Sequence, residues 1–251
     1  MDPSIKNFTE HSDVLQFTLH DVEVCFANAL RRTILSDIPI VVIETSTYEN
    51  NQCNILVNTS RLHNEILKQR LSSIPIHSNV LRDTEDEKGL PGNYELVVDV
   101  LNDSDNIIYV TTEDFKLKDK KTNTILTKDE QEKLFPGLFP KNVQTQSYID
   151  FVRLRPKMGE NIMGEQLSLT ANFSIDIAKS NSMYNVVSKC SYGNTPDKDK
   201  IMSIWDKLEK KLISEGETNE DIKFKKANFN LLDSQRQYID NSFDFVIQTI
   251  G

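Results

Sequence analysis

The strongest constraint on the fold is an alternation of side chains between residues 167 and 177. One set of positions is apolar and the intervening set is polar: Leu167, Leu169, Ala171, Phe173, Ile175 and Ile177 against Ser168, Thr170, Asn172, Ser174 and Asp176. A period of two is typical of a β-strand with one buried and one wet face. The pattern therefore predicts a strand in an antiparallel sheet that is covered on one side.

A second period lies nearer the N-terminus. Phe26, Leu30 and Ile34 recur at every fourth position, which indicates an amphipathic helix with these residues on its inner face. Asp21 is the predicted N-terminal cap of this helix. Pro39 sets its end, because the residue before a proline is pushed out of the helical region.

Similar patterns predict the remaining elements and an α+β fold. Strands are expected at residues 14–19, 40–45, 94–101, 107–112, 148–154 and 243–250, and helices at 58–71, 197–214 and 231–239. The polar residues 102–106 indicate a β-hairpin between two of these strands. Helix 58–71 would be capped by Asn58–Ser60, with Leu62 and Ile66 facing inward. Residues 215–226 are predicted to be an exposed connection, and 115–133 to be mostly solvated.

Charge and cysteine usage restrict the class of protein. The 251 residues contain 29 lysines and arginines against 38 acids, a net charge of −9, so DNA or RNA could be contacted only through a local basic patch. The longest apolar run, residues 38–43, is too short to span a bilayer. Three cysteines without a close pair support neither a zinc ribbon nor a disulfide framework. We expect an intracellular protein without a metal or cofactor.

No catalytic motif is present. The sequence lacks nucleophile-elbow, phosphate-loop and zinc-protease patterns. The four histidines show no helical pairing that would place two metal ligands on one face: His11, His20, His63 and His77. The acidic run 83–87 lacks the spacing of a calcium loop, and Cys190 has no histidine nearby in sequence. The residues therefore predict no active site.

Arg31 and Arg32 are the most unusual feature of the first helix. Adjacent helical positions lie about 100° apart, so these two arginines cannot share one ion-pair partner. They are either solvated charges or anchors on a protein partner, because guanidinium groups suit carboxylates and backbone carbonyls. The residues alone leave both interpretations open.

Two blocks carry a resemblance to a known family. Asn28-Ala29-Leu30-Arg31-Arg32, followed by Ile38-Pro39, resembles the first helix of the alpha-type RNA polymerase subunits. Asn58-Thr59-Ser60, followed by Glu65, Arg70-Leu71 and Ile74-Pro75-Ile76, is similar to the second block of that family. The family comprises the bacterial alpha N-terminal domain, its archaeal counterpart and the third-largest subunit of eukaryotic RNA polymerase II.

Other segments resemble the family more loosely. They are 153–156 with 164–169, the loop 178–188, and the strand 243–251, in which Gln248 replaces the usual acid. The loop 178–188 and residues 109–115 are most similar to polymerase subunits of large nucleocytoplasmic DNA viruses.

The resemblance implies a non-catalytic assembly subunit of a DNA-directed RNA polymerase. It would pair with a smaller alpha-like subunit and form the platform for the two large catalytic subunits, meeting DNA only indirectly and no membrane. It implies a dimerisation domain, residues 1–46 and 165–251, whose helices pack on an antiparallel sheet, and a mainly β inserted domain, residues 47–164. By resemblance, Asn28, Arg31 and Arg32 would dock a large subunit, with Glu65 and Arg70 as secondary contacts.

Three departures from the family pattern bear on this interpretation. Only Cys53 stands where relatives often carry a metal-binding cysteine cluster, the bacterial DNA-binding module is absent, and a long helix would be expected beyond Gly251. We therefore expect a fragment or a smaller interface. The location would be the nucleus for a cellular protein, and the virion or viral factory for a viral one. The alternative is a free-standing scaffold or regulatory protein with the alpha-subunit fold.

Overall fold

A computed structural model describes residues 2–77, 89–142, 144–159 and 162–250. These residues form helices and antiparallel sheets, which confirms the predicted α+β class. The strands are β1 Ser4–His11, β2 Val14–His20, β3 Pro39–Val42, β4 Cys53–Asn58, β5 Tyr94–Leu101, β6 Ile108–Thr111, β7 Lys116–Asp119, β8 Asp150–Leu154, β9 Gln166–Asn172, β10 Ser174–Ile177, β11 Val187–Pro196 and β12 Tyr238–Thr249. The helices are α1 Val24–Ser36, α2 Asn64–Ser72, α3 Lys128–Leu134, α4 Lys198–Ser214 and α5 Asn219–Leu231.

The chain divides into two compact units. One comprises Met1–Leu35 with Val187–Ile250, and the other comprises Ser36–Val186. The domain boundaries predicted from the sequence lie instead after residues 46 and 164. The division into a dimerisation and an inserted domain therefore stays a prediction about function.

The first unit is built on a four-stranded sheet in the order β1-β2-β12-β11. Its buried face includes Phe17, Leu19, Phe243 and Phe245, and the rings of Phe17 and Phe245 stack with their centroids 5.1 Å apart. The sequence pattern does not predict strand β1. Seven of its eight residues are exposed, so its sequence has no alternation of buried apolar and exposed polar side chains.

Helices α4 and α5 lie between β11 and β12 in the chain and share a small core. Trp205 and Leu212 of α4 are buried with Ile222 and Phe229 of α5, and Thr218 caps α5 by accepting from the Asp221 amide. The predicted helix 197–214 is confirmed. The predicted exposed connection 215–226 and helix 231–239 are wrong, because α5 buries few residues and therefore has a weak helical period.

The second unit contains a four-stranded sheet in the order β4-β9-β5-β7, with β6 paired to β8 and β3 paired to β10. The predicted hairpin across residues 102–106 is wrong, since β5 pairs with β7 and β9 while β6 pairs with β8. Asn102 redirects the chain there: its buried amide donates to the carbonyls of Asn106 and Leu154. The predicted strand 167–177 is divided at Phe173 into β9 and β10, and Ile175 is exposed.

The start and the inner face of the second helix differ from the prediction. α2 begins at Asn64 after the His63 cap position, and Asn58–Ser60 form a turn after β4 rather than a cap. The buried residues of α2 include Leu67 and Leu71, whereas Ile66 is exposed. Leu62, also predicted to face inward, lies before the helix and is partly buried against the core.

The segment predicted to be mostly solvated supplies core residues. Phe115 and Leu117 are buried beside and within β7. Two aromatic residues that follow α3 also pack on other rings: Phe135 contacts Tyr94 edge-on, and Phe139 contacts Phe115 in the same way. The acidic run at residues 83–87 lies outside the described residues.

Candidate partner-binding site

Helix α1 carries the first group of predicted site residues. It begins at Val24, and the Glu23 carbonyl accepts from the amides of Phe26 and Ala27. Asp21 is not its cap, because it lies three residues earlier with φ +59°. Ala27 is the fully buried residue of the helix.

Asn28 and Arg31 form a brace along α1. The Asn28 Oδ1 atom accepts from Arg31 Nε at 3.2 Å and from Arg31 Nη2 at 2.9 Å. Arg31 is half-buried and its charge acts on Cys190, whose pKa is raised by burial and partly lowered by this arginine. The neighbouring Arg32 is exposed. The two arginines therefore differ in burial: Arg31 is half-buried and Arg32 is exposed.

The exposed side of α1 is more apolar than the sequence predicts. The spacing of Phe26 predicts an inner-face residue, but its side chain is 56% exposed, and Ala29 and Thr33 are exposed on the same side of the helix. These positions are spaced i, i+3 and i+7, which places them in one row. We call Phe26, Ala29 and Thr33 the α1 outer stripe. Small residues beside one large ring leave room for another helix to approach closely.

Glu65 and Arg70 lie on α2, which belongs to the other unit. Both are exposed. Arg70 Nη2 donates to the Asp150 carbonyl at 2.8 Å and so ties α2 to β8. Glu65 lies in the first turn of α2, where a carboxylate is favoured by the unpaired amides of the helix start.

Metal-ligating side chains and cysteines were the remaining candidates for chemistry in the described residues. None of their histidine, cysteine, aspartate and glutamate side chains gather in a group of three or more that could hold a metal ion. Burial raises the pKa of the Cys53 thiol to about 11, against a smaller opposing effect of Lys68, and burial also raises the pKa of Cys190. Neither thiol is therefore a reactive nucleophile at neutral pH. Among the helices of the described chain, none is both long enough and apolar enough to cross a membrane.

Comparison with known proteins identifies the family to which these sequence blocks belong. Residues 16–251 match the RNA polymerase Rpb3/Rpb11 dimerisation domain. The chain belongs to this family. The match includes α1, α2, both sequence blocks and the sheet strands from Gln16 of β2 onward, and it confirms the resemblance to alpha-type polymerase subunits.

Relatives in the Rpb3/Rpb11 family come from archaea and eukaryotes. DNA-directed RNA polymerase subunit Rpo3 of Methanobrevibacter smithii is 26% identical over 197 residues, covering 78% of this chain and 60% of that protein. The Rpo3 of Pyrococcus furiosus is 42% identical over 71 residues, 28% of this chain and 24% of that protein. DNA-directed RNA polymerases I and III subunit rpac1 of Dictyostelium discoideum is 26% identical, covering 83% of this chain and 59% of that protein.

The chain thus spans less than two thirds of the length of these Rpb3/Rpb11 relatives. The likeness to viral subunits stays a prediction. Sequence reasoning found the Asn28, Arg31 and Arg32 group but missed both the α1 outer stripe and the Asn28 brace. The signal for the stripe was the small residues Ala29 and Thr33, placed three and seven residues after Phe26.

Proposed function

We propose that this chain is a non-catalytic assembly subunit of a DNA-directed RNA polymerase. The observation that carries the proposal is the match of residues 16–251 to the Rpb3/Rpb11 dimerisation domain. The matched relatives are named as polymerase subunits, which does not favour a free-standing scaffold.

The partner in this proposal is a smaller alpha-like subunit, and the α1 outer stripe is part of the surface that meets it. Phe26 leaves 56% of its area in water within this chain. A second helix packed over it would bury apolar area at about 25 cal/mol per Å². The exposed α1 outer stripe, on a helix of a dimerisation family, therefore supports contact with this partner.

Arg32 and Arg31, with Asn28, form the proposed docking point for a large catalytic subunit. Arg32 faces outward and can reach carboxylates or carbonyls of a partner. Asn28 holds the Arg31 guanidinium through two hydrogen bonds, which lowers the entropy that the side chain loses on docking. Arg70 and Glu65 would act as secondary contacts, and Arg70 also has a structural role through Asp150.

The domain roles and the location complete the proposal. Residues 1–46 and 165–251 would form the dimerisation domain, and residues 47–164 the inserted domain. The chain would work inside the cell and would meet promoter DNA through the assembled polymerase, since its net charge of −9 opposes broad contact with phosphate.

Charge reversal at the two arginines tests the docking role. We expect the Arg31→Glu/Arg32→Glu variant to fold and keep the smaller subunit, but to lose most of the large subunits on co-purification. The variant replaces two desolvated, charge-assisted contacts with repulsion. The loss of binding free energy is several kcal/mol, which lowers the affinity for the large subunit at least about a hundredfold. The measurement is the amount of each large subunit recovered with the tagged chain, against wild type.

A matched control reverses two exposed lysines of α4, Lys207→Glu and Lys210→Glu, which change the net charge in the same direction. This control should recover all subunits. Undiminished recovery of the large subunits by the arginine variant, with its circular dichroism unchanged, would contradict the docking role.

A further inference from the structure

The strand β7 and the turn after it form the most basic part of an acidic chain. Residues 116–128 contain five lysines and one aspartate, whereas the whole chain has a net charge of −9. Such local segregation of charge creates a positive potential that attracts anionic groups. No part of the dimerisation proposal uses this surface.

Three of these lysines lie on one face of the sheet. Leu117 is fully buried, so Lys116 and Lys118, on either side of it, face outward. The alternation continues at Lys120, whose amide donates to the Asn93 carbonyl at 2.9 Å beside the start of β5. We call Lys116, Lys118 and Lys120 the lysine row.

The row has few acidic neighbours. In the register with β5, Lys118 lies opposite Glu95 with a long Nζ to carboxylate separation of 4.0 Å, while Lys116 lies opposite Val97. Within the described part of the chain, Lys116 and Lys120 have no carboxylate within 4.0 Å of their amino groups, and both are exposed. The row therefore presents charge that the fold leaves largely uncompensated.

Backbone hydrogen bonds hold Lys116 and Lys118 in the extended strand β7, and Lys120 is the first residue of the turn that follows it. β7 pairs with β5 on one side. On its other side the Leu126 amide donates to the Leu117 carbonyl at 2.8 Å, and Ile125 bridges to Lys118. Asp119 accepts from the amides of Lys121 and Thr122, which fixes the turn and lowers the pKa of that carboxyl. The lysine spacing is thus set before any partner binds.

We propose that the lysine row binds an extended acidic segment of a protein partner, with carboxylates at alternate positions. In an extended chain, alternate residues lie about 6.8 Å apart, and this spacing is the same in the lysine row and in the bound segment. Alternate carboxylates of the segment therefore meet successive lysines in register. Ile125, 51% exposed beside Lys118, offers an apolar contact to the side chains in between.

Nucleic acid fits this surface less well. Residues 116–128 contain neither arginine nor an aromatic residue, whereas single-strand binding relies on aromatic stacking and phosphate binding favours guanidinium groups. The acidic remainder of the chain would also repel a dense polyanion more strongly than a short peptide.

The test measures fluorescence anisotropy with three labelled probes on the full chain. The first is a peptide of alternating glutamate and threonine, the second has the same composition with its glutamates in one block, and the third is an oligothymidylate of equal charge. We expect the alternating peptide to bind most tightly, with an affinity that falls as salt rises.

The variant Lys116→Gln/Lys118→Gln/Lys120→Gln should weaken the alternating peptide about tenfold, since three exposed ion pairs are lost. Lys198→Gln/Lys207→Gln/Lys210→Gln on α4 removes the same charge elsewhere and should bind like wild type. If the first triple variant fails to fold, the single change Lys120→Glu, outside β7, replaces it and should weaken binding in the same direction.

Four results would overturn the proposal. They are no binding of the alternating peptide, equal binding of the block peptide, equal loss in the α4 control, or tighter binding of the oligothymidylate. The last result would mark the row as a nucleic-acid surface instead.

Discussion

Gly164 stands at a place where the second unit has no room for a side chain. A Cβ atom there would overlap the backbone carbonyl oxygen of Asn102. The end of β5 and the start of β9 are joined here by a hydrogen bond from the backbone amide of Asn102 to the Glu165 carbonyl, 2.9 Å long. Next to it the buried Glu165 carboxylate accepts from the Arg155 backbone amide at 2.8 Å and from its guanidinium. We therefore expect Gly164→Ala to force the strands apart at this junction.

The size of the effect follows from these contacts. Overpacking against backbone costs about 1–3 kcal/mol, and loss of the Asn102 to Glu165 hydrogen bond adds about 1 kcal/mol. The alanine restores about 0.4–1 kcal/mol by restricting the unfolded chain. The net destabilisation is about 2–3 kcal/mol, a fall in melting temperature of about 5–10 °C for a chain of this size.

Gly193→Ala is the matched control, because no heavy atom lies within 4 Å of its added Cβ and its φ is not positive. It should change stability by less than about 0.5 kcal/mol. The assay is urea unfolding followed by circular dichroism, with hydrogen exchange of the β5 and β9 amides as a local probe. Equal stability of the two variants, with unchanged exchange in β9, would refute the steric argument.

Two further predictions concern buried side chains of the second unit. Leu67→Ala should lower the free energy of unfolding by about 2–5 kcal/mol, because Leu67 is fully buried, whereas the exposed Ile66→Ala should cost well under half as much. Urea unfolding of both variants checks which residues form the inner face of α2. Equal costs would contradict the assignment. Cys25 is exposed and should react with a maleimide in the native protein, while Cys53, whose thiol pKa burial raises to about 11, should react only after unfolding. Mass spectrometry of native labelling checks this, and rapid native labelling of Cys53 would contradict it.

Long periodic segments were predictable from the sequence, because each buries a continuous stripe on one neighbour. α4 adds the partly buried Ile201, Ile204 and Leu208 to the buried Trp205 and Leu212 and so has a continuous stripe, and β5 keeps a clear alternation, so both appear close to their predicted bounds. α5 buries only Ile222 and Phe229, which is too sparse a pattern to separate it from a loop. The hairpin prediction is wrong because the Asn102 side chain bonds across to Leu154, a tertiary contact that local turn rules do not contain.

The candidate site was predictable in its residue types but not in its geometry. The pair Arg31 and Arg32 is plain in the sequence, but the two hydrogen bonds from Arg31 to Asn28 are side-chain contacts that only the folded helix shows. The spacing of Phe26 matches Leu30 and Ile34 and so predicts an inward position. Its exposure follows from a helix that buries Ala27 and leaves one apolar side uncovered within this chain.

The most direct test of the account is the mass of the complex that this chain forms with the smaller alpha-like subunit from the same source. The two chains are co-expressed and analysed by size-exclusion chromatography with light scattering, together with a Phe26→Asp variant of the α1 outer stripe. The account predicts a one-to-one heterodimer for wild type and dissociation for Phe26→Asp without loss of helical signal. A chain that stays monomeric beside its partner, or a variant that pairs as tightly as wild type, would contradict it.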